Sequence, residues 1–141
     1  MRRLVLFVLV AITFACGCDD RSYRDIGANI DVLTKKSDSL PGPALARLAK
    51  IGRRAVPQIE TAMHTASTRG KVNLVSALAA IGEPESASIL QHFAVYDKNP
   101  DVRAACEELL AQWASGSDVR GGSAKQAIAR VQEKRRLGQA E

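Results

Sequence analysis

Two histidines and three cysteines are the residues of this chain whose types best suit chemistry near neutral pH. An imidazole can move protons or ligate a metal, and a thiolate can attack carbon or bind a soft ion. The spacing of these residues argues against both. His64 and His92 lie 12 and 10 residues beyond Gly52 and Gly82, two glycines suited to helix-ending turns. A difference of two residues is about 200° of helical rotation, so the imidazoles are expected to face apart and not to share a metal ion. Cys16, Cys18 and Cys106 are too few for a disulfide framework, and no histidine or second cysteine stands at metal-ligand spacing from any of them. Val102, Leu109, Leu110 and Trp113 recur around Cys106 at helical spacing, which predicts a small buried apolar residue there. No phosphate-binding glycine loop, serine elbow or suggestive carboxylate pair occurs. The sequence therefore assigns no catalytic residue, metal site or cofactor, and predicts that the chain is not an enzyme.

The elements that carry these residues repeat. Leu45, Leu48, Ile51-Gly52, Val56-Pro57 and Ile59 are echoed by Val75, Leu78, Ile81-Gly82, Pro84 and Ile89, and Ile51 and Ile81 are 30 residues apart. A period of that size marks stacked helical hairpins, each burying its apolar face on the next. The second helix agrees: Ile59 aligns with Ile89, Met63 with Phe93 and Ala66 with Tyr96. Gly52 and Gly82 suit the left-handed residue that closes a helix, and Pro57 suits the first turn of the one that follows. The composition, 46% hydrophobic and 25% charged over 141 residues, is that of a single globular domain, and only 4% aromatic residues suits helices packed closely on helices.

These residues resemble HEAT repeats, in the short variety first noted in phycobilin lyases. Leu48-Ala49-Lys50-Ile51-Gly52 followed by Ala55-Val56-Pro57, and Leu78-Ala79-Ala80-Ile81-Gly82 followed by Pro84, carry the resemblance. Asn99-Pro100-Asp101-Val102-Arg103, with Ala105 and Leu109, resembles the opening of a further repeat in which Gln112-Trp113 stands where Ile-Gly is usual. The resemblance covers Pro43 to about Trp113. It implies an all-α fold, a short α-solenoid of about 2.5 hairpins over residues 43–115 with capping helices. Some HEAT-like proteins, the deoxyhypusine hydroxylases, bind iron through adjacent His-Glu pairs. Here Thr65 follows His64 and Phe93 follows His92, so those ligands are absent.

A stack of this size needs closing, because about three repeats are required for stability. Ser22 is expected to cap a helix running to Lys36, with Tyr23, Ile26, Ile30 and Leu33 on its core face, inside an 18–42 anchor and capping segment. A helix beginning near Val102, with Trp113, is expected to close the other end. Gly116, Gly121 and Gly122, with Ser115, Ser117 and Ser123, predict a flexible hinge. Residues 116–141 are then that hinge and a basic helix with a stripe of Ala124, Ala127, Ile128 and Val131. Its Lys125, Arg130, Lys134, Arg135 and Arg136 are candidate contacts to anionic lipid headgroups.

At the other terminus, Arg2 and Arg3 precede an apolar run from Leu4 to Ala15 broken only by Thr13. The run is short of the roughly 20 residues that cross a bilayer, but it fits a secretory signal over residues 1–17. Ala15-Cys16-Gly17-Cys18 resembles the lipobox of bacterial lipoproteins, with Ala15 where leucine is usual. That resemblance implies lipidation of Cys18, with Cys16 as the alternative register. An ordinary signal peptide cut near Gly17 is the other reading. Loss of Arg2 and Arg3 lowers the formal charge of +5 by two, to +3, and this near balance, with an export signal, disfavours nucleic acid as a partner.

Taken together, the residues predict a lipid-anchored module of a bacterial cell envelope, facing the periplasm or exterior, that binds or scaffolds an unidentified protein partner without catalysis. Its expected contacts are exposed residues of the second helices: Gln58, Thr61, His64, Thr65, Gln91, His92 and Asp97. Two alternatives stand beside it. One is an accessory or maturation factor of the HEAT-like lyase kind, and the other is a structural lipoprotein that meets membrane or envelope polymer through its basic C-terminal helix. The residues specify neither an oligomeric state nor a biological process.

Overall fold

The computed structural model describes residues 19–35 and 42–138. Within them the chain is all helical, an α-solenoid as expected, with seven α-helices, one 3-10 turn and no strand. Helix α1 (Asp19–Thr34) leads three hairpins. The first is α2 (Gly42–Ile51), the 3-10 turn Gly52–Ala55 and α3 (Val56–Thr65); the second is α4 (Thr68–Ile81) and α5 (Ser86–Tyr96). In the third, α6 (Pro100–Ala114) is followed by α7 (Val119–Gly138), which stands where a second helix of the hairpin belongs.

Local sequence explains the breaks. Gly52 and Gly82 take φ +68° and +71°, the left-handed conformation that a residue with a Cβ avoids. Ser67 accepts from the Gly70 N–H, Asn99 from Asp101 and Asp118 from Gly121, so each following helix has a side-chain cap for its orphan donors. Pro57 and Pro100 occupy the first turns of α3 and α6, where the missing N–H costs no hydrogen bond.

The first helices α2, α4 and α6 pack in a row, while α5 packs on α6 and α7. A single core results. Leu48, Ile59, Met63, Leu74, Leu78, Leu90 and Leu110 are wholly buried, and each such side chain contributes about 1.5–3 kcal/mol. Helix α1 packs on α2, α3 and α4. Its union with α4 is close because Gly70 has no side chain: a Cβ there would lie 3.3 Å from Thr34 Cα. Beside it Asn73 Nδ2 donates to the buried Leu33 carbonyl at 2.9 Å, satisfying one of the orphan acceptors at the end of α1.

Three local expectations change. Ser22 is not the cap of α1, which already begins at Asp19. Tyr23 is 64% exposed, because the buried face starts at Ile26 and continues through Ile30 and Leu33. The expected hinge at 116–122 is a tight corner. Gly121 and Gly122 lie inside α7, and a Cβ on Gly121 would collide with the Gly116 carbonyl oxygen, so this glycine serves close packing rather than looseness. The stripe of α7 is docked on the stack, with Ala124, Ala127 and Val131 buried and Ile128 partly so. Trp113 is buried with the Arg120 guanidinium 5.6 Å above its ring. The signal segment, Cys16, Cys18 and residues 36–41 lie outside the described residues.

Candidate functional site

The stacked second helices α3 and α5 bring four rings together. Phe93, buried at the same repeat offset as Met63, forms the floor. His64 packs on it with ring centres 5.1 Å apart and His92 at 5.3 Å, and Tyr96 adds a fourth ring 5.2 Å from His92. His64, His92 and Tyr96 are exposed. The result is an aromatic ledge with a hydrophobic base and polar edges, a composition common at protein-binding hot spots.

The expectation that the two histidines face apart is overturned. Their ring centres are 5.9 Å apart, edge to face. The rotation of about 200° is right, but helices that lie side by side in a stack present opposite flanks to each other. His64 follows its core residue Met63 by one position and His92 precedes its core residue Phe93 by one, so the two rings meet across the gap between helices.

Behind the ledge lies an ion pair. Lys71 Nζ is 2.6 Å from Asp97 Oδ2, and the side chains are 18% and 3% exposed. The other carboxylate oxygen accepts from the Asn99 backbone N–H at 2.9 Å, and Lys71 also lies 5.7 Å from the centre of the Phe93 ring. Burial raises the Asp97 pKa, but the hydrogen bonds from Lys71 and Asn99 and the charges of Lys71 and Arg103 outweigh it and hold the carboxyl below its ordinary value. Arg103 Nη1 donates to the Asp97 and Lys98 carbonyls at 2.8 and 3.2 Å, closing the end of α5. Asn99 Nδ2 reaches Thr68 Oγ1 at 3.2 Å, tying the linker before α6 to the start of α4.

The expected contact residues thus divide. His64 and His92 share the ledge. Asp97 is a buried counter-ion and offers no contact to a partner, since linker position 97 is drawn under the ring cluster by Lys71. Thr61 and Thr65 are exposed, with their hydroxyls donating to Pro57 and Ala62 carbonyls of their own helix. Gln58 is half-buried near Gly27 of α1. Gln91 lines a groove of about 220 Å³ between α5 and α7, with Ser88, Gln126 and Arg130. Of the other basic residues of α7, Arg135 pairs with Glu107 and Arg136 with Glu133, while Lys125 and Lys134 are exposed.

Sequence reasoning missed Lys71, Tyr96 and Arg103 as parts of this region. One signal was available for the first: 30 residues before Lys71 stands Pro41, so the lysine breaks the repeat. Cys106 lies wholly buried, as its neighbours predicted, and its thiol pKa is pushed up to about 12 by burial, with the charges of Asp97 and Glu107 adding to the effect.

Comparison with known proteins agrees with this architecture. A family model of HEAT repeats matches residues 28–111. The bilin biosynthesis protein RpcF of Synechococcus sp. (strain WH8020) is 28% identical over 95 residues, covering 67% of this chain and 46% of that protein. The chain therefore spans about half the length of the curated relative it matches. No solved structure matches the chain.

Proposed function

This chain belongs to the HEAT-repeat family, and from that premise we propose that it acts by binding a protein partner on the ledge formed by α3 and α5. The observation that supports this reading is the exposure of His64, His92 and Tyr96 over a buried Phe93. Such a surface offers aromatic area at low entropic cost, fixed in place by packing. A photoreactive phenylalanine at position 96 of the full chain, expressed in its own organism, should give a discrete adduct that weakens with His92→Ala. The same probe at Leu137, exposed near the far end of α7, should not give that adduct. Identical adducts from both positions would refute the assignment.

A second reading is favoured by the relative named for bilin biosynthesis: an accessory role in maturing a protein that carries a tetrapyrrole. A linear tetrapyrrole added to the purified chain should then change its visible absorption on binding, and an unchanged spectrum counts against this reading.

We extend the proposal to location. A lipid on Cys18, or on Cys16, would hold the module at the membrane of a bacterial envelope. No helix among the described residues is long and apolar enough to cross a bilayer. Intact mass of membrane-purified protein tests the lipid: a lipid-sized increment on a chain beginning at Cys18 and lost in Cys18→Ser supports it, and an unlipidated product removes it. The basic helix α7 as a membrane contact has less to offer than five like charges imply, because Glu107 and Glu133 already match Arg135 and Arg136.

A further inference from the structure

We propose that His64 and His92 form a two-histidine site for a borderline transition-metal ion, with Zn²⁺ as the test species. This inference stands apart from the partner-binding reading, since an ion can bind whether or not a protein docks on the ledge.

The argument begins with distance. An ion about 2.0–2.1 Å from an imidazole nitrogen lies in the ring plane about 3 Å from the ring centre, so two rings sharing it have centres about 5–6.5 Å apart. The observed separation is 5.9 Å. The rings are also held from below, because both pack against Phe93, which is 4% exposed. The two ligands come from different helices, so the ion would bridge α3 and α5 at a junction where side chains alone now meet.

Among the described residues no group of three or more histidine, cysteine, aspartate or glutamate side chains is placed to hold a metal. The ion would therefore keep water in its remaining positions and exchange readily, as an open site does. Imidazole pairs suit Zn²⁺, Ni²⁺ and Cu²⁺ and are poor ligands for Mg²⁺ or Ca²⁺, which require oxygen.

The full chain holds only two histidines, so each ring resonance is assigned by deleting the other residue. Zn²⁺ alone is titrated into the intact chain while both rings are followed by NMR. Both are expected to move on one binding curve that saturates at one ion, with no response to Mg²⁺. His64→Ala or His92→Ala should weaken Zn²⁺ binding at the remaining ring by ~100-fold, the loss of an intramolecular second ligand. Both rings are exposed and neither belongs to the buried core, and an unchanged thermal midpoint for each variant without Zn²⁺ verifies the fold. The proposal fails if neither ring responds, if only one does, or if each variant leaves the other ring's curve where it was.

Discussion

Lys71 of α4 and Asp97, the residue that ends α5, form an ion pair of 2.6 Å beneath the aromatic ledge, and the carboxylate is almost wholly enclosed. Such a pair is costly to break from one side, because the remaining charge keeps its desolvation penalty. Asp97→Asn should lower stability by about 2–3 kcal/mol, at the low end for a buried pair because Lys71 still reaches water. Chemical denaturation at neutral pH measures it. The acid limb gives a second check. The folded-state pKa of Asp97 is lowered, so its contribution is complete above the unfolded carboxylate value of about 3.9 and is lost as pH falls from there through the folded value. Wild type should lose stability across that window, and Asp97→Asn should lose less.

The corner between α6 and α7 supplies a matched pair of glycines. Gly121→Ala drives a methyl group into the Gly116 backbone, which has no rotamer by which to yield, and should cost at least about 2 kcal/mol. Gly122→Ala, one residue on, meets nothing within 4 Å and should stabilise by about 0.5–1 kcal/mol through helix propensity. Thermal unfolding of the two variants side by side would sink the close-packing account if they shifted alike.

Cys106 should be chemically silent in the folded protein. Its thiol is enclosed and its pKa pushed up to about 12, so thiolate is scarce at pH 8 and no reagent can reach it. Alkylation followed by peptide mapping should leave the Cys106 peptide unmodified until denaturant is added. Modification under native conditions would mean that the α6 core opens.

The Asn73 amide connects α1 to the repeats through the Leu33 carbonyl. Asn73→Ala leaves that buried acceptor without its partner and should cost about 1–3 kcal/mol. Hydrogen exchange should accelerate in α1 while α5 and α6 keep their protection. Uniform acceleration throughout would show that α1 unfolds only with the whole stack.

Much of the fold is legible in the sequence because its signals are local. Gly52 and Gly82 announce their turns, and Met63 and Phe93 announce equivalent core positions, since each is decided by neighbours within a few residues. The candidate site is less legible because it forms between helices far apart in sequence. The histidine spacing gave the correct rotation and the wrong conclusion, for the reading compared each ring with its own helix and not with the flank of the next. Lys71 and Asp97 are 26 residues apart, and nothing in their immediate surroundings pairs them. At Gly121 the composition of the segment suggested looseness, whereas the fold uses the same missing side chain to bring two stretches of backbone into contact.

Helix α7 also sets the character of one end of the described stack. Its inner stripe of Ala124, Ala127 and Val131 is spent on the stack, while Lys125, Arg130, Lys134, Arg135 and Arg136 are exposed. A further hairpin laid on that outer side would have to strip water from Lys125, Arg130 and Lys134, with Val119 and Leu137 as the exposed large apolar side chains of the helix. A repeat array invites end-to-end growth because each layer resembles the next. At this end of the described stack the outer side of α7 holds water on its lysines and arginines, and the cost of removing that water opposes the laying of another layer there.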